Sequence, residues 1–88
     1  MAMYGADIEQ LNHLATQLNS KASDIQGVIS QLTSAINSVQ WQGPDANKFK
    51  SDWQGHHVAQ LKSVVQALQD ASQKAKSNAQ QQQQASGA

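Results

Sequence analysis

The stretch "SVQWQGPDANKF", residues 38–49, lies near the middle of the chain and contains its only proline. Gly43 can take the left-handed conformation that ends a helix, and Pro44 has the fixed φ that suits the first residue of the next one. Asp45 places negative charge in the first turn of that second helix, where the helix dipole favours it. The stretch therefore predicts a sharp reversal between two helices, with the turn at residues 41–44.

Before the turn, apolar residues recur with an unbroken spacing of three and four. This spacing is typical of an α-helix with a coiled-coil type of seam, and it predicts a first helix over about residues 7–40 with Asp7 as the N-cap. A second apolar row lies one place before part of the seam, and such a wide stripe faces more than one neighbour. On the solvated face, Lys21 and Asp24 are spaced for a weak ion pair. The seam is Ile8, Leu11, Ala15, Leu18, Ala22, Ile25, Ile29, Leu32, Ile36 and Val39, and the second row is Leu14, Val28 and Ala35.

After the turn, a similar but less regular row predicts a second helix over about residues 45–79. The row is Ala46, Phe49, Trp53, His57, Leu61, Val64, Leu68, Ala71, Ala75 and Ala79, with Val58 and Val65 beside it. Its spacing drifts between Trp53 and Leu61, where several gaps of four follow one another. His57 falls within this row, which suggests either a buried polar group that sets register or senses pH, or a solvated side chain. Asp52 and His56 are spaced for a weak ion pair.

Two arms of equal length joined by a short link predict an all-α antiparallel helical hairpin, forming a single domain over residues 1–79. Residues 80–88, "QQQQQASGA", are polar and of low complexity, and they predict a disordered tail. The alternative is that the glutamine run continues the second helix for a turn.

Two helices cannot bury two apolar rows between them, so the hairpin is expected to dimerise into a four-helix bundle. One row then packs within the chain and the other packs across the dimer. The residues predicted to form this core or dimer seam are Ile8, Leu11, Leu18, Ile25, Ile29, Leu32, Ile36, Trp53, Leu61, Val64 and Leu68.

Composition argues against several other classes of protein. The formal net charge is zero and arginine is absent, which disfavours a nucleic-acid surface. The N-terminus lacks the basic start and apolar run of a signal peptide, and no segment reaches the length of a membrane span. No nucleophile lies beside an orienting base, and adjacent His56 and His57 point in different directions on a helix. We therefore expect no enzyme activity, no cofactor or metal, and no small-molecule substrate.

The central turn also contains a W-x-G tripeptide with a distinctive setting. The tripeptide and its flank are Trp41, Gln42, Gly43, Pro44, Asp45, Ala46 and Phe49. Placed between two matched amphipathic arms, this motif resembles the WXG family, the small early-secreted-antigen-like proteins exported by bacterial type VII (ESX) secretion systems. The resemblance covers essentially the whole chain.

The resemblance implies a hairpin that pairs with itself or with a paralogous WXG protein as an antiparallel four-helix bundle. It also implies export of the folded protein by a membrane-anchored ATPase, so that the protein is cytoplasmic before export and secreted or at the cell surface afterwards. Trp41, Gly43 and Phe49 would then contribute to recognition by a partner or by the export machinery. The partner's C-terminal region would supply the rest of that surface.

One family feature is missing from the chain. Members that carry their own export signal usually show Y-x-x-x-[D/E] soon after the second helix, whereas the only tyrosine here is Tyr4 and nothing after Asp70 is acidic or aromatic. A partner supplies the signal, or another determinant replaces it, or the protein is not itself a substrate.

Other interpretations remain open on the sequence alone. Trp41 is either an exposed anchor for a partner or a plug that packs on Phe49 or Ala46 at the end of the bundle. The alternative functions are an intracellular adaptor or chaperone for a client protein, and a hairpin that serves larger relatives as a targeting module.

Overall fold

A computed structural model, which describes residues 7–87, shows an all-helical hairpin. Helix α1 (Ile8–Ser38) is followed by α2 (Pro44–Asp52), by a five-residue π-helical segment (Trp53–His57), and by α3 (Val58–Gly87). We call Trp53–His57 the π segment; it joins α2 to α3 in one continuous second arm. This arm runs back along α1, and the hairpin is a rod of 66 × 17 × 17 Å.

The start of α1 is set as the sequence predicts. Asp7 is the N-cap, and its Oδ1 accepts a hydrogen bond from the backbone N–H of Gln10 at 3.0 Å. This bond satisfies one of the backbone donors that the first turn of a helix leaves without a partner. Tyr4 and the other residues before Asp7 lie outside the described part of the chain.

The turn differs in detail from the prediction. Helix α1 ends at Ser38, and residues 39–43 form the link to α2. Gly43 does have a positive φ of 115°, but it is the N-cap of α2 and does not end α1. Its carbonyl accepts the first hydrogen bond of α2, from Asn47 N–H at 3.0 Å. Pro44 is the first residue of α2, as expected.

Replacing Gly43 by alanine should destabilise the hairpin by about 1–3 kcal/mol, because φ 115° with ψ 177° is a region that essentially only glycine occupies. A Cβ there would meet nothing within 4 Å, so the penalty comes from the backbone alone. Gly27→Ala is the matched control: it lies inside α1, is equally unobstructed, and should stabilise by about 1 kcal/mol. Urea unfolding of both variants tests the contrast, and equal effects would contradict it.

Most of the core between the arms is a line of side chains seven residues apart, and Ala46 and Ala75 are buried beside it. The buried residues on this line are Ala15, Ala22 and Ile29 of α1 and Val58, Val65, Ser72 and Ala79 of α3. Most are small, so the two helices can approach closely near their free ends. The buried hydroxyl of Ser72 donates to the backbone carbonyl of Ala15 at 2.7 Å and thereby fixes which residues of α1 and α3 lie level.

The π segment explains the drift in spacing along the second arm. Val58 N–H donates to Trp53 O, five residues earlier, so the segment accommodates one residue more than an α-helix would. As a result Val58 takes the inward position and is buried, while His57 is exposed. The prediction that His57 belongs to the apolar row, as a buried group, is therefore wrong.

The end of the chain also differs from the prediction. Helix α3 continues through Gly87, so residues 80–87 are helical and not a disordered tail. Glutamine has a good intrinsic helix propensity, and buried Ala79 anchors the helix just before the glutamine run. The alternative of a continuing helix holds here for about two turns.

Candidate interaction surfaces

The two sides of the hairpin, seen along its axis, differ in chemistry. On one side a shallow groove runs between α1 and α3, lined by Gln26 and Ser30 and by Lys62, Gln66 and Gln69, with Ile29 and Val65 at its floor. We call this side the polar groove. Its rim presents amides, a hydroxyl and one ammonium group to solvent.

The opposite side of the hairpin is apolar. On α1, Ile25, Val28 and Leu32 lie on the flank of Ile29 that faces away from Gln26 and Ser30. On α3, Leu61, Val64 and Leu68 lie on the flank of Val65 that faces away from Lys62, Gln66 and Gln69. We call this side the free face, and its members are Leu11, Leu14, Leu18, Ile25, Val28 and Leu32 of α1 with Leu61, Val64 and Leu68 of α3.

The free face is incompletely covered within one chain. Leu14, Val28 and Val64 are each 46% exposed and Leu32 is 43% exposed. Of the eleven predicted seam residues, Ile29 is buried, Leu32 and Val64 are exposed, and the other eight are half-buried: Ile8, Leu11, Leu18, Ile25, Ile36, Trp53, Leu61 and Leu68. The free face extends from Leu11 to Leu32 of α1, which is about 32 Å of the rod at 1.5 Å per residue.

One charged residue interrupts the free face on α1. Lys21 continues the row of Leu14, Leu18 and Ile25, and its Nζ lies 3.8 Å from Asp24 Oδ2. The sequence predicts this weak ion pair, and the structure contains it. Both side chains are largely in solvent, at 73% and 65% exposure, so the pair contributes little to the stability of the hairpin.

A second apolar surface lies at the turn, and we call it the tip patch: Val39, Trp41 and Phe49. The rings of Trp41 and Phe49 pack in a tilted arrangement with centroids 5.4 Å apart. Trp41 nevertheless stays 40% exposed, Phe49 49% and Val39 51%. Trp41 therefore packs against Phe49 but does not close the end of the hairpin as a buried side chain. Both rings remain accessible to solvent near Gly43, which has a positive φ.

One contact that sequence reasoning missed holds the π segment in place. The indole Nε1–H of Trp53 donates to Thr33 Oγ1 at 2.9 Å, and both residues are half-buried. The sequence does place Thr33 on the inward side of α1, because Thr33 lies four residues after Ile29 and three before Ile36. A hydroxyl at such a position needs a partner, and the tryptophan provides it.

Asp52 pairs with Lys48 and not with the predicted His56. Lys48 Nζ lies 3.0 Å from Asp52 Oδ2. This hydrogen bond, and then the Lys48 charge, lower the pKa of Asp52, with smaller contributions from the charges of His57 and His56. A lowered carboxylate pKa adds stability above the unfolded-state value, which is lost only as pH falls through the folded-state value. The pair therefore gives no switch near neutral pH.

Comparison of the chain with protein-family models, with curated proteins and with solved structures finds no match. Within residues 7–87, no three His, Cys, Asp or Glu side chains are grouped to hold a metal ion. Over the same range, no helix has both the length and the apolar content needed to cross a membrane. Within the described residues, the large exposed hydrophobic side chains lie on the free face and the tip patch.

Proposed function

We propose that this is a small non-enzymatic protein, exported by or linked to a bacterial type VII (ESX) secretion system, that acts as a dimer through helix–helix pairing. The observation that carries the proposal is the exposed aromatic pair Trp41–Phe49, displayed by a W-x-G turn at the tip of a two-helix rod. The resemblance to the WXG family rests on this turn. Its setting, between arms of matched length, supports the same interpretation.

The free face supports the dimeric part of the proposal. Fully burying a leucine or valine side chain contributes about 1.5–3 kcal/mol, and the hairpin leaves nearly half of Leu14, Val28 and Val64 in solvent. A second hairpin laid on this face would bury these side chains and complete a four-helix bundle. The polar groove on the other side would not gain in the same way from a second hairpin, since the side chains at its rim are polar and already solvated.

The tip patch supports the recognition part of the proposal. Tryptophan is enriched at interface hot spots, and Trp41 presents an accessible ring whose position is set by Phe49. Neither ring of the tip patch is among the buried residues, which before Phe49 are Ala15, Ala22, Ile29 and Ala46. The tip patch is thus free to bind a partner, which we propose to be the secretion ATPase or a component associated with it, without disturbing the fold.

The proposal is tested by expressing the protein in a bacterium with a type VII system and in an isogenic strain without its ATPase. We expect the protein in the medium of the first strain only. Trp41→Ala should reduce export at least about tenfold while lowering stability by no more than about 1 kcal/mol, since it removes one exposed aromatic pair. Gln42→Ala, which changes the exposed neighbour inside the same motif, is the matched control and should be exported normally.

Two results would count against this proposal. Retention of the wild-type protein in the cytosol of both strains would favour the adaptor or chaperone alternative. Unfolding of the hairpin by Trp41→Ala would show that the indole is structural and would remove the observation on which recognition is argued.

A further inference from the structure

We propose that the polar groove binds a short segment of another protein in an extended conformation, with an aspartate or glutamate of that segment paired to Lys62. The groove lies on the opposite side of the hairpin from the free face, so this site does not depend on the proposed dimer and stays open within it. The inference rests on the length of the groove, on the amides along its walls and on the unpaired ammonium group inside it.

The polar groove continues beyond its first hollow. The first part, of about 400 Å³, includes Gln26 and Ser30 of α1, and a second hollow of about 440 Å³ continues it toward the turn as far as Ser34. Ile29, Ser30 and Lys62 line both parts, so the two parts form one channel. The eight positions from Gln26 to Ser34 extend about 12 Å along the helix, which is the length of about four residues of an extended chain.

Glutamine amides lie along the walls of this channel. They are Gln26, Gln66 and Gln69 in the first part and Gln54 in the second. A primary amide has two donors and an acceptor, so it can pair with the backbone N–H and C=O groups that an extended chain leaves without partners. The Nε2 of Gln66 already donates to Asp70 Oδ1 at 3.0 Å, and its carbonyl oxygen is left as an acceptor. These side chains can thus hold a peptide backbone of any sequence.

The floor of the channel limits how tightly a ligand binds. It is formed by Ile29, Val58 and Val65, which are only 8%, 8% and 4% exposed within the hairpin. Because little apolar surface remains to be covered, a ligand gains little from the hydrophobic effect and depends on polar contacts. We therefore expect a dissociation constant on the order of 1 mM for a short peptide.

The charge in the channel specifies an acidic ligand. Lys62 lines both parts, and within residues 7–87 its ammonium group forms no ion pair or hydrogen bond. Asp70, which Gln66 holds, lies two turns further along α3, about 12 Å from the level of Lys62. A carboxylate from the ligand would complement the ammonium group, and an exposed pair of this kind changes the dissociation constant by up to about fivefold.

The experiment is an NMR titration of the isotope-labelled, full-length protein with two pools of hexapeptides that have blocked ends. The central position is glutamate in the first pool and glutamine in the second, and every other position is drawn from uncharged residues. We expect the glutamate pool to shift the amide signals of the polar groove at about fivefold lower concentration than the glutamine pool, at low salt. Inorganic phosphate at the same concentration should leave these signals in place.

Three variants test the role of the ammonium group. Lys62→Gln keeps a hydrogen-bonding side chain without the charge, so it should respond equally to the two pools, at the weaker level. Lys74→Gln is the matched control, because it removes the same charge from an exposed position of α3 that does not line the groove, and it should keep the preference for glutamate. Ser30→Asp adds a carboxylate to the channel that Lys62 also lines, and it should abolish the preference.

Four results would overturn this inference. They are the absence of shifts with either pool, shifts confined to the free face or the tip patch, a preference for glutamate that survives Lys62→Gln, and equal shifts of the groove signals with inorganic phosphate. The last result would show a site for any small anion. Because the free face and the tip patch take no part in the groove, each of these failures leaves the proposed dimer and the proposed export untouched.

Discussion

Val28→Asp is expected to weaken self-association at least about 100-fold while leaving the hairpin folded. Val28 is 46% exposed within one chain and lies outside the buried line of Ala15, Ala22 and Ile29, so the monomer should tolerate the change. In the proposed dimer each substitution removes only the burial of the exposed half of Val28, which is about half of the 1.5–3 kcal/mol that full burial contributes, and it adds a carboxylate that has no partner. If two copies of this chain form the proposed dimer, the loss occurs twice, and every 1.4 kcal/mol is about tenfold in the dissociation constant.

Ser30→Asp is the matched control for this prediction. It introduces the same charge two residues away on the same helix, but on the rim of the polar groove, where the side chain stays in solvent. Sedimentation velocity at several concentrations should show Val28→Asp as a monomer and Ser30→Asp as the wild type. Equal behaviour of the two variants would show that the free face is not the interface, and far-UV circular dichroism checks that both remain helical.

The parts of the fold that sequence predicts well depend on local chemistry. Asp7 caps α1 because a short acidic side chain reaches the free backbone donors of the first turn. Pro44 begins α2 because its φ is already helical and its missing N–H leaves no bond unmade. The regular spacing in α1 predicts one long helix, and a single helix is present over Ile8–Ser38.

The parts that sequence predicts poorly depend on how the arms pack. A drift in spacing is compatible with a slowly rotating stripe or with one inserted residue, and only the position of α1 decides between His57 and Val58 as the inward residue. The glutamine run lacks apolar side chains, so its composition alone predicts disorder. Its helix propensity, and the burial of Ala79 just before it, favour a helix there instead.

Of the two candidate surfaces, the free face can be predicted from the sequence, whereas the exposure of the tip patch cannot. The width of the apolar stripe on α1 predicts a second neighbour, because its two rows cannot both face α3. Whether Trp41 plugs the bundle or stays accessible depends on the path of residues 39–43, which no propensity specifies. The extended backbone of Val39 and the positive φ of Gly43 place the indole beside Phe49 and leave it exposed.

Deleting Gly27 is expected to destroy the hairpin, whereas deleting Gly55 should be tolerated. Both deletions remove one exposed glycine and give chains of identical composition. Without Gly27, the inward residues Ile29, Thr33 and Ile36 rotate by about 100° relative to Ala15 and Ala22, so half of α1 turns its apolar side away from α3. Without Gly55, the extra residue of the π segment is lost and the second arm becomes one α-helix.

The inward residues of the second arm stay in phase after the Gly55 deletion. Ala46, Lys50 and Trp53 already have helical spacing, and removing one residue brings Val58 four places after Trp53. We therefore expect the Gly55 deletion to melt within a few degrees of the wild type and the Gly27 deletion to lose its cooperative transition, as followed by circular dichroism during heating. If both deletions unfold the chain, the hairpin requires the π segment, and the extra residue in that segment cannot be removed.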